Sequence, residues 1–205
     1  MVTQVLHNKW PIDFNAPLAH IEPTLRAVRN VIEFAEGETR PEVVFVSLRY
    51  GEARHVASAV LGQAAERCGL RVSLMRVEQL GGSGRNRRGP RYGFTEWFSS
   101  MITTSRALGK LLHSLGADMI NWLSVEGAAQ AILELSASVA VGYQSSENVA
   151  CFNIVNPKVS SWTTDLAPAV QDYYPDSDKP ALIRLTPWFD ELESLERTYG
   201  IAAVN

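Results

Sequence analysis

Apolar and polar positions along the chain follow two alternating periods. Val2 to His7 is a short β-branched run closing on polar Asn8-Lys9, the form of a buried strand reaching its carboxyl end. From Ile21 to Ala35, the residues Leu25, Val28, Val31, Ile32 and Ala35 fall at helical spacing. Val43 to Leu48 is a second apolar strand, and helical spacing returns from Tyr50 to Gly69 through Val56, Val60, Leu61 and Ala64. Gly69 supplies a stop that tolerates positive φ, and Leu70 to Val77 is a third strand. The strands are continuously apolar, which describes βαβ units on a parallel sheet covered on both faces.

Gly81 to Gly93 breaks the pattern with Arg85, Arg87, Arg88 and Arg91 among five glycines and no acidic residue, so it is a loop. Beyond it the spacing predicts helices over Thr95 to Leu108 and Ser124 to Ala137, and a strand over Val149 to Val155. The tail reads as a helix from Thr163 to Tyr173, a short strand from Ala181 to Leu185, and a helix from Pro187 onward.

Composition narrows the picture. At 205 residues, 46% hydrophobic and 20% charged, the chain has material for one core. A formal charge of −3 favours neither nucleic acid nor an anionic membrane as partner, which leaves a small molecule or another protein. No apolar run approaches the roughly 18 residues of a membrane span, and the first residues lack a basic start before an apolar stretch. A cytoplasmic location is expected. Cys68 and Cys151 are too few for a disulfide scaffold, match no zinc spacing, and read as small core residues.

Some residues carry candidate chemistry on their own. Tyr50 has Arg54 one helical turn later, and a phenol near a cation can serve as general acid to a carbonyl oxygen or as a base at an enolisable carbon. The plainer alternative is a solvated tyrosine at a helix start with a solvated arginine. His7 and Asn8 end a strand at the edge where doubly wound sheets bind ligands, or else are a packed histidine and a turn-forming asparagine. The arginine loop suits a phosphate or an acidic surface, although such loops are commonly just solvated. Trp97, Phe98, Trp122, Trp162 and Trp188 are spaced as core or pocket-wall residues.

Five strings, in order, resemble one family. Val2 to Asn8 with Trp10-Pro-Ile-Asp-Phe-Asn15 resembles the strand and loop that follow the first half of fungal thioester reductase (R) domains, as found in nonribosomal peptide and polyketide synthetases and carboxylic acid reductases. Tyr50-Gly-Glu-Ala-Arg54-His-Val is similar to their catalytic tyrosine helix, and Arg76-Val-Glu-Gln-Leu-Gly-Gly82 to their next strand and loop. Trp122-Leu-Ser-Val-Glu126 is similar to their substrate-domain turn, and Phe152-Asn-Ile-Val-Asn-Pro157 to their late strand. The resemblance implies an α/β fold of the extended short-chain dehydrogenase superfamily. The sheet would be a partial Rossmann-like, doubly wound, parallel one with its amino-terminal half missing, followed by a small carboxyl-terminal substrate-binding subdomain. Residues 1–80 would be the truncated core, and 81–205 the subdomain with interspersed strands, in one compact domain. It further implies Tyr50, Arg54 and Ser47 as catalytic residues and His7, Asn8, Arg76, Gln79 and Trp122 as substrate-binding ones.

Three departures bear on the chemistry that the resemblance implies. The family's dinucleotide fingerprint lies on a first strand, turn and helix, and Gly81-Gly-Ser-Gly84 does not occupy that context. The second position of the family's paired hydroxyls is Leu48, after Ser47. Arg54 stands where the family has lysine, and a planar guanidinium does not replace a point ammonium conservatively. The expectation is therefore a degenerate member with no cofactor, a non-redox cyclase, isomerase or condensation catalyst acting on a carbonyl-bearing polyketide or peptide intermediate. Two alternatives stay open: an NADPH-dependent reductase of a carrier-bound thioester or aldehyde, and a non-catalytic module that binds a carrier protein or synthase. A half-sheet with an open edge also implies a homodimer.

Overall fold

The computed structural model describes residues 1–9, 18–48, 52–83, 97–116, 119–141 and 148–199. In chain order the elements are β1 (Gln4–His7), α1 (Leu18–Ala35), β2 (Glu42–Leu48), α2 (Glu52–Cys68), β3 (Val72–Val77), α3 (Trp97–Leu108) and β4 (Lys110–Leu112). They continue with β5 (Met119–Ile120), α4 (Val125–Val141), β6 (Val149–Ile154), β7 (Ser160–Ser161), α5 (Ala167–Tyr173), β8 (Ala181–Ile183) and α6 (Leu185–Tyr199). The chain divides into two compact units, one of residues Met1–Arg87 with Trp122–Asn156, the other of Arg88–Asn121 with Pro157–Asn205.

The first unit holds a four-stranded sheet in the order β1-β2-β3-β6, parallel throughout. Side chains alternate between faces along each strand, so each face collects its own set. On one face Val43, Phe45, Val72 and Leu74 bury against Val28 and Ala35 of α1 and Ala57, Leu61 and Ala65 of α2. On the other, Val44, Met75, Val77 and Ile154 pack with Ala128, Ile132 and Leu135 of α4. Helices on both faces make the sheet doubly wound, as the continuous apolar strands required. Each fully buried Val, Leu or Phe contributes roughly 1.5–3 kcal/mol relative to exposure. Gly69, at φ +66°, ends α2 in the left-handed conformation that glycine adopts without a Cβ penalty.

A polar cluster pins the amino-terminal ends of these strands. Glu42 is 2% exposed and accepts from the Ser73 hydroxyl at 2.6 Å and from Gln4 Nε2 at 3.1 Å. Gln4 Nε2 also donates to the Ser136 carbonyl of α4 at 3.1 Å. A buried carboxylate is tolerated because its oxygens are hydrogen-bonded.

The second unit is built on two aromatic anchors. Trp162 is fully buried and its indole N–H donates to Leu112 O at 2.9 Å, while Trp188 donates to Ser105 Oγ at 3.2 Å. Strand β4 pairs parallel with β8, and β5 pairs antiparallel with β7. The expected helix over Thr163 to Tyr173 is a π-helical turn, Trp162–Leu166, leading into α5. The turn starts at Ser161, whose hydroxyl accepts from Thr164 N and whose own N–H donates to Asp165 Oδ2. The sequence pattern passed over β4, β5 and β7, since strands of two or three residues are too short to show a period. It also placed Cys151 wrongly, because that residue is exposed on β6, at the edge of the described sheet, whereas Cys68 is half-buried and packs against the core. No helix among the described residues is long and apolar enough to cross a membrane.

Replacing Glu42 with alanine leaves the Ser73 and Gln4 donors without their acceptor. The expected loss is about 1–3 kcal/mol of unfolding free energy in urea denaturation, against less than about 0.5 kcal/mol for Phe34→Ala at an exposed position. Equal midpoints for the two variants would contradict a structural role for the buried cluster.

Candidate functional site

Because β1, β2, β3 and β6 are parallel, their carboxyl ends open on one edge, and open α/β sheets bind ligands outside that edge. Ser47 stands in register with Arg76, and Arg76 with Asn153, so one polar row crosses three strands. Ser47 is buried at 4% exposure, Arg76 is half-buried and Asn153 is exposed. Helix α2 opens at Glu52, just beyond the end of β2 at Leu48, and Arg54 falls in its first turn. Tyr50 lies outside the described residues, as do the side chain of Arg54 and Arg85, Arg87, Arg88 and Arg91 of the basic loop.

His7 sits one row back, paired with Phe45 and stacked on its ring at 5.5 Å between centroids and 26° between planes. Burial pushes its imidazole below the ordinary histidine value, opposed by a backbone hydrogen bond at His7 itself. Asn8 follows it, exposed at the strand end.

The wall after β3 is a pair of interlocked segments. Gly81 N donates to Leu123 O at 2.6 Å, Leu123 N to Gln79 O at 3.2 Å, and Val125 N to Gly82 O at 3.0 Å, with a parallel bridge between Leu80 and Leu123. Gln79 and Trp122, far apart in sequence, are thereby brought onto adjoining segments. Ser124 Oγ accepts from Gly127 N at 3.1 Å where α4 begins, and the Ser83 hydroxyl donates to the Glu126 carboxylate. Asn156 Nδ2 donates to the Trp122 carbonyl at 3.1 Å, adding a third segment. Sequence reasoning missed Asn153, Asn156, Ser83 and Glu126; all four lie inside strings already singled out, but their partners are visible only through register and tertiary pairing.

This arrangement also tests the glycine pair as a phosphate cradle. Gly82 takes φ +85°, a conformation that favours glycine. The Gly81 amide is committed to Leu123 and the Gly82 carbonyl to Val125, so the turn serves packing and does not fit a pyrophosphate. The described residues also hold no cluster of three His, Cys, Asp or Glu able to bind a metal ion. The Glu36 carboxylate, through a hydrogen bond with Cys68, raises that thiol, which disfavours a nucleophilic thiolate.

No family model matches the sequence. The chain is 30% identical over 221 residues to a carboxylic acid reductase of Neurospora crassa, an alignment covering 94% of this chain and 20% of that protein. In structure it is similar to the thiolation-reductase di-domain of an archaeal nonribosomal peptide synthetase, with TM-score 0.74 and 17% identity over 97% of this chain and 59% of that one. It is also similar to the Bordetella bronchiseptica enzyme WbmF in complex with NAD+, with TM-score 0.56 and 18% identity over 94% of this chain and 63% of that one. The fold is therefore that of the extended short-chain dehydrogenases. Within them, the chain belongs to the thioester reductase (R) domain family, and it spans about a fifth of the length of the curated relative. The expected absence of a cofactor is corrected here: WbmF, a chain of similar fold, is in complex with NAD+.

The depressed His7 pKa has a signed consequence. Between the folded and unfolded values the unfolded chain binds more protons, so the stabilisation by neutral, buried His7 is present above the ordinary histidine range and is lost as pH falls through the folded value. NMR titration is expected to show His7 titrating below the ordinary histidine value, and His7→Gln to flatten stability in that window. A His7 titration at or above the ordinary histidine value would refute the burial effect.

Proposed function

We propose that the chain is the substrate-side part of a nicotinamide-dependent reductase that acts on an acyl thioester of secondary metabolism. The observation that carries this reading is the placement of buried Ser47 at the carboxyl end of β2, directly before the helix that opens two residues after Tyr50 and in register with Arg76. The likeness to a carboxylic acid reductase and to a thiolation-reductase di-domain supports it, and supports a carrier protein as the partner that presents the acyl group.

Tyr50 donates its proton to the carbonyl oxygen as the carbon becomes tetrahedral. Arg54, four residues on, supplies a positive charge for the phenolate that this transfer leaves, and the Ser47 hydroxyl holds the same oxygen. The nicotinamide, when bound, supplies the hydride. Collapse of the resulting hemithioacetal releases the thiol and an aldehyde. His7, Asn8, Gln79 and Trp122 line the acyl group's approach. A second reading draws on Arg54 in the lysine position: the same phenol polarises a carbonyl without net redox change, in a cyclisation or isomerisation of a polyketide or peptide intermediate.

Turnover of an S-acylpantetheine with NADPH deuterated at C4 separates the two readings. The reductase reading expects deuterium in the aldehyde, a loss of about 10²–10⁴-fold in Tyr50→Phe and a smaller loss in Ser47→Ala. Product formed without NADPH oxidation favours the second reading, and full activity in a folded Tyr50→Phe sinks both.

Self-association is part of the same proposal. Leu6 on β1 and Val2 just before it are 44% and 46% exposed, and β1 pairs with β2 alone among the described strands. Light scattering is expected to give a homodimer that Leu6→Glu dissociates; a wild-type monomer would remove this part of the proposal.

A further inference from the structure

The polar row at the carboxyl end of the sheet contains a cation that no described side chain neutralises. In-register parallel residues project from one face, so Ser47, Arg76 and Asn153 lie side by side at about the 4.8 Å strand spacing. One step back, the same face is the apolar floor of Phe45 and Leu74. Arg76 is half-buried, and none of the ion pairs among the described residues involves it. Removing part of a guanidinium's hydration without a counter-charge is unfavourable. That it stands where open α/β sheets receive ligands indicates that a ligand supplies the charge.

We infer that Arg76, with the Asn153 carboxamide beside it, binds an oxyanion carried by the substrate, a phosphate or a carboxylate. The planar fork of arginine donates two parallel hydrogen bonds to either group, while the Asn153 amide N–H beside it adds a donor in the same row. The neighbouring strands leave room on one side: Asn153 is exposed on β6, so the anion enters from that edge of the row. This assigns a charged tail to the substrate of the proposed site and rests on that reading only for the substrate's identity. The anion subsite itself is independent of what happens at Tyr50.

Binding is read without turnover, by thermal unfolding of the full chain at constant ionic strength in chloride, titrated in one arm with inorganic phosphate and in another with benzoate. A saturable rise in Tm over the chloride control is expected in at least one arm, and the arm that responds names the group. Arg76→Met should abolish the rise and Arg76→Lys should reduce it, since an ammonium keeps the charge and loses the fork. Should Arg76→Met fail to fold by circular dichroism, Asn153→Asp decides: at an exposed position it sets a carboxylate beside the guanidinium and should abolish the response. No rise in either arm, or an undiminished rise in Arg76→Met or Asn153→Asp, overturns the inference. Loss of turnover in Tyr50→Phe with the anion response retained is the signature of two separate devices in one site.

Discussion

A parallel strand cannot return to its neighbour by a tight turn, and that constraint organises the first unit. Each crossover carries a helix, and each helix covers a face that would otherwise be apolar and wet. Phe45 shows the coupling: it is almost fully buried, anchors the cluster with Ala57 and Leu61 of α2, and is the ring on which His7 stacks. The same packing fixes the register that puts Ser47 beside Arg76. A shift of β2 by one residue would turn Val43 and Phe45 to the α4 face and Ser47 with them.

The cluster around Glu42 and the row through Arg76 mark opposite ends of the same strands. At the amino ends a carboxylate is buried with neutral donors on both oxygens, so the network is satisfied within the protein. At the carboxyl ends Arg76 enters none of the ion pairs among the described residues. Between them, the interlocked segments 79–83 and 122–126, with Asn156, give the open end a wall built from backbone hydrogen bonds. Such a wall holds Gln79 and Trp122 on adjoining segments.

Much of the first unit was legible in the sequence, because runs such as Val43 to Leu48 and Leu70 to Val77 are long enough to show their period and apolar enough to demand cover on both sides. The edge position of His7 followed from polar Asn8-Lys9 closing an apolar run. The second unit was less legible. Its strands are two or three residues long, its π-helical turn mimics ordinary helical spacing, and its anchors, Trp162 and Trp188, are defined by partners fifty or more positions away. The exposure of Cys151 was hidden for a related reason: an edge strand alternates like an inner one, and only the sheet order reveals its open side. The Arg76 row was invisible because register is a property of pairs of strands. The cofactor expectation failed because it leaned on a missing motif, whereas kinship and fold argue from what is present.

The central claim is that one site in the first unit, at the carboxyl ends of β2 and β3, handles an acyl carbonyl. A crystal structure of the full chain soaked with an unreactive S-acylpantetheine analogue tests this most directly. The account predicts the carbonyl oxygen within about 2.6–3.2 Å of the Tyr50 hydroxyl, with the acyl group against Gln79 and Trp122. Ordered analogue seated away from Tyr50, or bound to residues of the second unit alone, would contradict it.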